Sequence, residues 1–370
     1  MKITHIETIP VRVPLHPARM IRGSLGAHSV SPFLLVKVHT DEGLIGLGEV
    51  SCTARWSGED QVTAAYMIRT YFEPLWTGED PAGIERLARK LRTGTAGHIF
   101  TKAGLEMALW DLAGKRAGVP LYQLLGGRVR DFVPTKFSVS GVEPERAAGI
   151  AAWAAGEGFP AMKVKVGIDP VEDIARARAV RDAIGDGVRL GADANGGWDV
   201  RTAVRCAKQL EDLGVFFLEQ PVPAGDPAWL AEVRRLTSMP IVADESVNTP
   251  ADAMALARAS AADVFSTYVG KGGIGGALRV AAVAEAGGLC ATVGSNLELG
   301  VGAAAMIHVA TATPAIAAER FPCDILTPFY YEGDILREPL DITAGRARAP
   351  EGPGLGVELD EERVARFRVC

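Results

Sequence analysis

From about residue 133 onward the chain repeats one unit, a short β-like run followed by an alanine-rich helical stretch. The runs read "PTKFSVS", "AMKVKVG", "VRLGADAN", "VFFLEQP", "PIVADES", "ADVFSTYV", "LCATVGS" and, at the end, "AIAAER". They recur every ~22 to 28 residues, the length of a strand, a helix and two connections, and eight such strands close a parallel barrel. A doubly wound open sheet is the rival arrangement, but no GxGxxG follows an early strand. "GKGGIGG" at 270–276 lacks the GK[ST] ending of a phosphate loop. It reads as a strand-to-helix turn with a weak phosphate signal.

The first third has another rhythm. "KITHIETIPVRVPL" and "PFLLVKVHTDEGLIGLGEV" alternate like strands, with Asp41-Glu42-Gly43 as a hairpin turn. From about 60 to 125 the apolar spacing is helical, ending in "KAGLEMALWDLAGKRAGVPLYQLLGG", where Gly126-Gly127 is a stop signal. The Pro/Gly-rich tail "APEGPGLGVELDEERVARF" reads as coil and edge strand packing back on this first unit. The expected division is an α+β cap at 1–127, a barrel at 128–330 and a returning segment at 331–370.

Composition matters mainly for what it excludes. A formal net charge of −6 with no basic run argues against a nucleic-acid surface. No apolar stretch approaches the ~18 residues of a membrane span, and the N-terminus lacks the apolar block of a signal peptide. Five scattered cysteines (Cys52, Cys206, Cys290, Cys323, Cys370) form no CxxC pair. They read as small buried hydrophobes plus a tail thiol, in a reducing cytoplasm.

Barrel strands aim their C-terminal ends at one mouth. In order, those ends carry Lys163 and Lys165, then Asp193, Glu219, Asp244 (or its neighbour Glu245, since alternation turns only one of the two inward), and finally Glu298 just past the seventh run. The three middle acids stand 26 and 25 residues apart, one unit each, so they are expected on neighbouring strands. Acids at strand ends also serve as ordinary helix N-caps, which for a single acid is an equally good account. For three in register the better account is a cation between them, because converging carboxylates otherwise repel. Oxygen-only donors suit a hard ion, Mg2+ before Mn2+. Beside a metal and a second cation, the ammonium form of Lys165 is disfavoured, and a lysine so placed becomes a proton acceptor. A metal gripping a substrate carboxylate would make its α-proton removable by holding the enediolate.

These motifs resemble the enolase superfamily, in its mandelate racemase/muconate lactonizing branch, over essentially the whole chain. The resemblance is carried by "KVKVG", "GADANGGW", "FLEQP", "VADES", "ALWDLAGKRAGVPLYQLLGG" and "PGLGVELD". It implies an α/β fold, a modified (β/α)7β TIM-type barrel under an N-terminal α+β cap that the C-terminal segment completes. It also implies Asp193, Glu219 and Asp244 as Mg2+ ligands, Lys165 as general base or acid, Lys163 as a neutralising charge and Glu298 as an acid near the substrate. Specificity would come from cap loops around Arg19 to Leu25 and around Arg55-Trp56-Ser57, with Asn195, Thr267 and Asp324 on the barrel side. A homo-oligomer, dimer or octamer, is the family's usual state.

One departure bears on mechanism. The muconate lactonizing subgroup carries a second lysine on strand six. Counting from Asp244 puts that position at Tyr268, and counting back from Gly272-Gly273 puts it at Thr267. The nearest lysine is Lys271. A His-Asp pair of the mandelate racemase kind is absent too, and "PCDILTP" holds only Asp324 where dipeptide epimerases carry DxD. The expectation is one-base chemistry at Lys165 on a small carboxylate, a cycloisomerase or dehydratase, with Tyr268 or Lys271 as a possible second acid. The alternatives are an amino-acid or hydroxy-acid racemase using Lys271, a non-catalytic metal-binding scaffold, and a Schiff-base aldolase. His98 and His308 are expected as satisfied core histidines, and His28 as a cap-loop or turn residue.

Overall fold

The structure is a computed structural model that describes residues 1–369; Cys370 lies outside the described residues. Three antiparallel strands, Ile3–Pro14, Val30–Thr40 and Ile45–Ser51, form the cap sheet with the middle one central. The hairpin turns at the predicted place, with Gly43 at φ +81° and its N–H donating to Thr40 O. The Ile99–Ala117 helix lies hard against the sheet. A Cβ on Gly48 would meet Gly104 O at 2.0 Å, so glycine sets that approach. The helical stretch does not run on to Gly126. Gly118 takes a left-handed conformation after Ala117, Pro120 cannot continue the N–H ladder, and only the short Leu121–Leu124 helix follows.

Seven parallel strands stand in chain order: Phe137–Val139, Ala161–Lys165, Arg189–Asp193, Val215–Glu219, Ile241–Ala243, Val264–Thr267 and Cys290–Val293. A helix follows each one. The eighth place is filled by extended chain rather than a regular strand. Ile316 bridges Ala291 on one side, Cys323 bridges Thr135 on the other, and Asp324 N–H donates to Val293 O. The "AIAAER" run therefore supplies only part of the closure, and "FPCD" supplies the rest.

Side-chain alternation divides the two faces of the sheet. Phe217, Val242, Val264 and Phe321 cluster inside the barrel, while Leu218, Ala243 and Phe265 join the large core shared with the helices. Gly191 makes room for the Phe217 ring, whose Cζ would lie 2.2 Å from an added Cβ. The barrel floor is thus filled with side chains. The tail returns to the cap: Arg368 bridges Val11, and the Glu361–Phe367 helix packs on the first strand. No helix among the described residues is long and apolar enough to cross a membrane.

Candidate active site

Strand register brings the predicted chemistry together. Lys165 pairs with Asp193 and Asp193 with Glu219 across adjacent strands, and Asp244 follows directly on Ala243. Lys163 Nζ donates to Glu219 Oε1 at 2.9 Å and to Asp324 Oδ2 at 3.0 Å, and lies 3.2 Å from Asp193 Oδ2. Burial works against its charge, but Asp324, Glu219 and Asp193 outweigh burial and hold the ammonium well above the usual lysine range. Lys165 Nζ donates to Asp193 Oδ2 at 2.7 Å and to Asn195 Oδ1 at 2.8 Å. Burial would raise the Asp193 carboxyl, yet Lys165 and Lys163 together hold it well below the usual range.

Glu219 behaves in the opposite way. Burial, opposed by Lys163 and reinforced by Asp193, Asp324 and Asp244, pushes it up to about 8. Glu245 is pushed up to about 7 by burial and by Asp244 and Asp193. One of its oxygens, Oε1, accepts from Asn195 Nδ2 at 2.9 Å and from Trp56 Nε1 at 3.3 Å, while Oε2 is buried with no hydrogen-bond partner.

A cavity of about 470 Å3 opens at these strand ends, with Glu219 and Glu245 behind its wall. Lys163, Lys165, Asp193, Asn195, Asp244, Glu298 and Asp324 line its barrel side, and Leu25 and Trp56 line its cap side. Glu298 accepts from Ser295 Oγ at 2.6 Å, and burial raises its carboxyl. Arg19 does not line the cavity; its guanidinium stacks on Trp153 at 4.5 Å.

The residues expected at strand six also stand away from the cavity. Thr267 shares the parity of Phe265, which faces the helices. Tyr268 lies buried 5.5 Å from the Trp56 ring, its hydroxyl unpartnered. Lys271 sits in the first turn of the Val269–Ala286 helix with its amine on Asp244. That helix breaks at Gly273 (φ +78°), and Glu106 of the cap accepts the N–H groups of Ile274 at 2.6 Å and Gly275 at 2.9 Å. The glycine-rich turn therefore holds the chain's own carboxylate where a phosphate would sit.

No three His, Cys, Asp or Glu side chains among the described residues are gathered so as to hold a metal as they stand. Lysine ammonium groups stand among the expected ligands instead. The donor set nonetheless fits a hard divalent cation. Asp193, Glu219 and Asp244 offer only oxygen, at the ends of three neighbouring strands.

Sequence reasoning missed Glu245 as a link between cap and barrel, and it missed Ser138, Asn296 and Tyr330 in the cavity wall. Only folding brings those together. His308 is a core histidine, taking Tyr122 N–H on Nδ1 at 3.3 Å and meeting Leu355 O at 3.2 Å. His98 instead precedes its helix at φ +51° with Nδ1 unpartnered. His28 lines the cavity and meets Ser31 Oγ at 2.6 Å.

A two-part fold whose strand ends gather lysines and carboxylates under a cap defines an enzyme class, and comparison with known proteins names it. Residues 145–363 match the family described as Enolase C-terminal domain-like, and residues 3–126 match the Mandelate racemase / muconate lactonizing enzyme, N-terminal domain. The chain belongs to the mandelate racemase/muconate lactonizing enzyme family of the enolase superfamily and is an enzyme of that superfamily. It is 35% identical to the L-Ala-D/L-Glu epimerase of Bacillus subtilis (strain 168), over 96% of this chain and 97% of that one. It is 34% identical to muconate cycloisomerase 1 of Rhodococcus opacus, over 98% of each. The solved structure of a dipeptide epimerase from Cytophaga hutchinsonii, complexed with Mg and the dipeptide D-Ala-L-Val, matches with a TM-score of 0.93 at 32% identity, over 100% of each chain.

Proposed function

We propose that this enzyme moves the α-proton of a small carboxylate with Lys165 as its one acid/base group, as a cycloisomerase or dehydratase. One observation carries the reading. Lys165 lines the cavity, whereas Thr267, Tyr268 and Lys271 do not, which leaves the sixth-strand side without a base. Asp193, Glu219 and Asp244 would hold Mg2+, the ion bound in the dipeptide epimerase neighbour, with Mn2+ as a substitute. When bound, that ion would draw charge from the substrate carboxylate and stabilise the enediolate form of the substrate. Asn195 and Asp193 orient the Lys165 amine, Lys163 offsets carboxylate charge beneath it, and the Phe217 floor excludes water from below.

The test is a panel of muconates, acid sugars, amino acids and hydroxyprolines with Mg2+ in D2O. Lys165→Ala should abolish turnover while metal binding survives, and catalysis retained in that variant overturns the reading. The epimerase relative favours a second reading, a racemase with Lys271 as its other base. That reading requires α-proton exchange from both enantiomers of a substrate, and one-sided exchange rejects it.

A further inference from the structure

Lys271 is only 2% exposed, and each of its polar contacts is to oxygen. Its Nζ donates to Asp244 Oδ1 at 2.5 Å, Asp244 O at 2.7 Å, Ser266 O at 3.1 Å and Val247 O at 3.3 Å. The Tyr268 ring covers it at 4.6 Å and the Trp56 ring at 5.8 Å. An ammonium has three protons, and here four acceptors compete for them. Nothing in this arrangement turns the amine toward the cavity. What it does is fasten the 244–247 loop to the sixth strand.

The effect on Asp244 is specific. Its Oδ1 is committed to Lys271, whereas its Oδ2 accepts no hydrogen bond among the described residues, and the residue lines the cavity. A carboxylate anchored through one oxygen presents the other in a fixed direction, which is what partners behind a metal ligand commonly supply. A nearby cation also repels a metal ion. Here that repulsion is blunted, because Lys271 is already answered by Asp244 itself and by three carbonyl dipoles, so the orienting effect should dominate.

We infer that Lys271 is a positioning residue, a built-in cation that aims Asp244 Oδ2 at a divalent ion, and that it is not the second base. This rests on the metal reading given above. The probe is Mn2+, titrated into the full-length protein and followed by electron paramagnetic resonance, with wild type, Lys271→Met and Lys271→Arg side by side and thermal melts in chelator as a folding check. Lys271→Met should weaken Mn2+ binding about 10- to 100-fold, the usual loss when a partner behind a ligand is removed. Lys271→Arg should recover part of that loss, a rescue that a bulk effect on packing would not give. Should Lys271→Met fail to fold, Lys271→Gln is read in its place. Mn2+ affinity unchanged or increased in the uncharged variant overturns the inference while leaving the metal reading standing. Wild-type protein that binds no Mn2+ overturns the metal reading, and this inference with it.

Discussion

Asn195 stands between Lys165 and Glu245, its carbonyl accepting from the Lys165 amine at 2.8 Å and its NH2 donating to Glu245 Oε1 at 2.9 Å. The two neighbours fix the amide's orientation, since an ammonium can only donate and Glu245 Oε1, which also takes the donor-only indole N–H of Trp56, accepts. Trp56 of the cap reaches the same Glu245 oxygen at 3.3 Å, and Ser24 Oγ of the other cap loop donates to Asn195 O at 2.8 Å. One cap loop thus meets Asn195, the barrel residue that holds the lysine, directly, and the other meets it through Glu245. Asn195→Ala should lower kcat about 10- to 100-fold, the worth of a hydrogen bond to a charged group, with a smaller change in KM. Steady-state kinetics on whichever carboxylate the panel identifies checks this. An unchanged kcat would remove Asn195 from the catalytic geometry.

Lys163 is the counter-charge at the centre of the site. Lys163→Met would leave Glu219 and Asp193 without their shared ammonium and Asp324 with Lys136 alone. Breaking a buried ion network from one side costs about 3–5 kcal/mol. Urea unfolding at neutral pH without added metal should show a loss of that order. Added Mg2+ should restore part of it if the vacated space takes the cation.

His308 gives the fold a pH dependence of known sign. Burial pushes it down to about 4 from its usual 6.5, so it is neutral in the folded chain and protonates more readily in the unfolded one. Its contribution is fully present above pH ~6.5 and is lost as pH falls from there toward ~4, to a total of roughly 2–4 kcal/mol. Unfolding free energies at pH 7, 6 and 5 should therefore fall more steeply for wild type than for His308→Gln. Parallel slopes would contradict the assignment.

Glu106 joins cap to barrel through two buried backbone donors. Glu106→Ala strands the N–H groups of Ile274 and Gly275, each at about 1–3 kcal/mol. The expected result is a lower unfolding midpoint, with amide exchange faster at the start of the broken helix than in the cap sheet.

Much of this site could be read from the chain because regular structure makes the reading. Period-two alternation and a repeating unit carry Lys165, Asp193, Glu219 and Asp244 to neighbouring strand ends with no tertiary information. Where the backbone leaves regular geometry, the reading fails. Lys271 lies past the end of its strand, and four oxygens decide its direction, three of them backbone carbonyls that no sequence pattern marks. The helix break at Gly118 was masked by apolar spacing that resumes in phase after Pro120. Arg19 lies in a cap loop, and the Trp153 ring it stacks on belongs to a helix more than a hundred residues away. The eighth strand is two single bridges, too short to carry any alternation.

The Phe217 ring seated over Gly191 has a consequence for traffic through the enzyme. With the barrel plugged beneath the lysines, the chamber has no passage through the barrel floor, and cap residues such as Leu25 and Trp56 border it on the other side. Substrate and product therefore share the cap side of the chamber, and neither passes through the barrel.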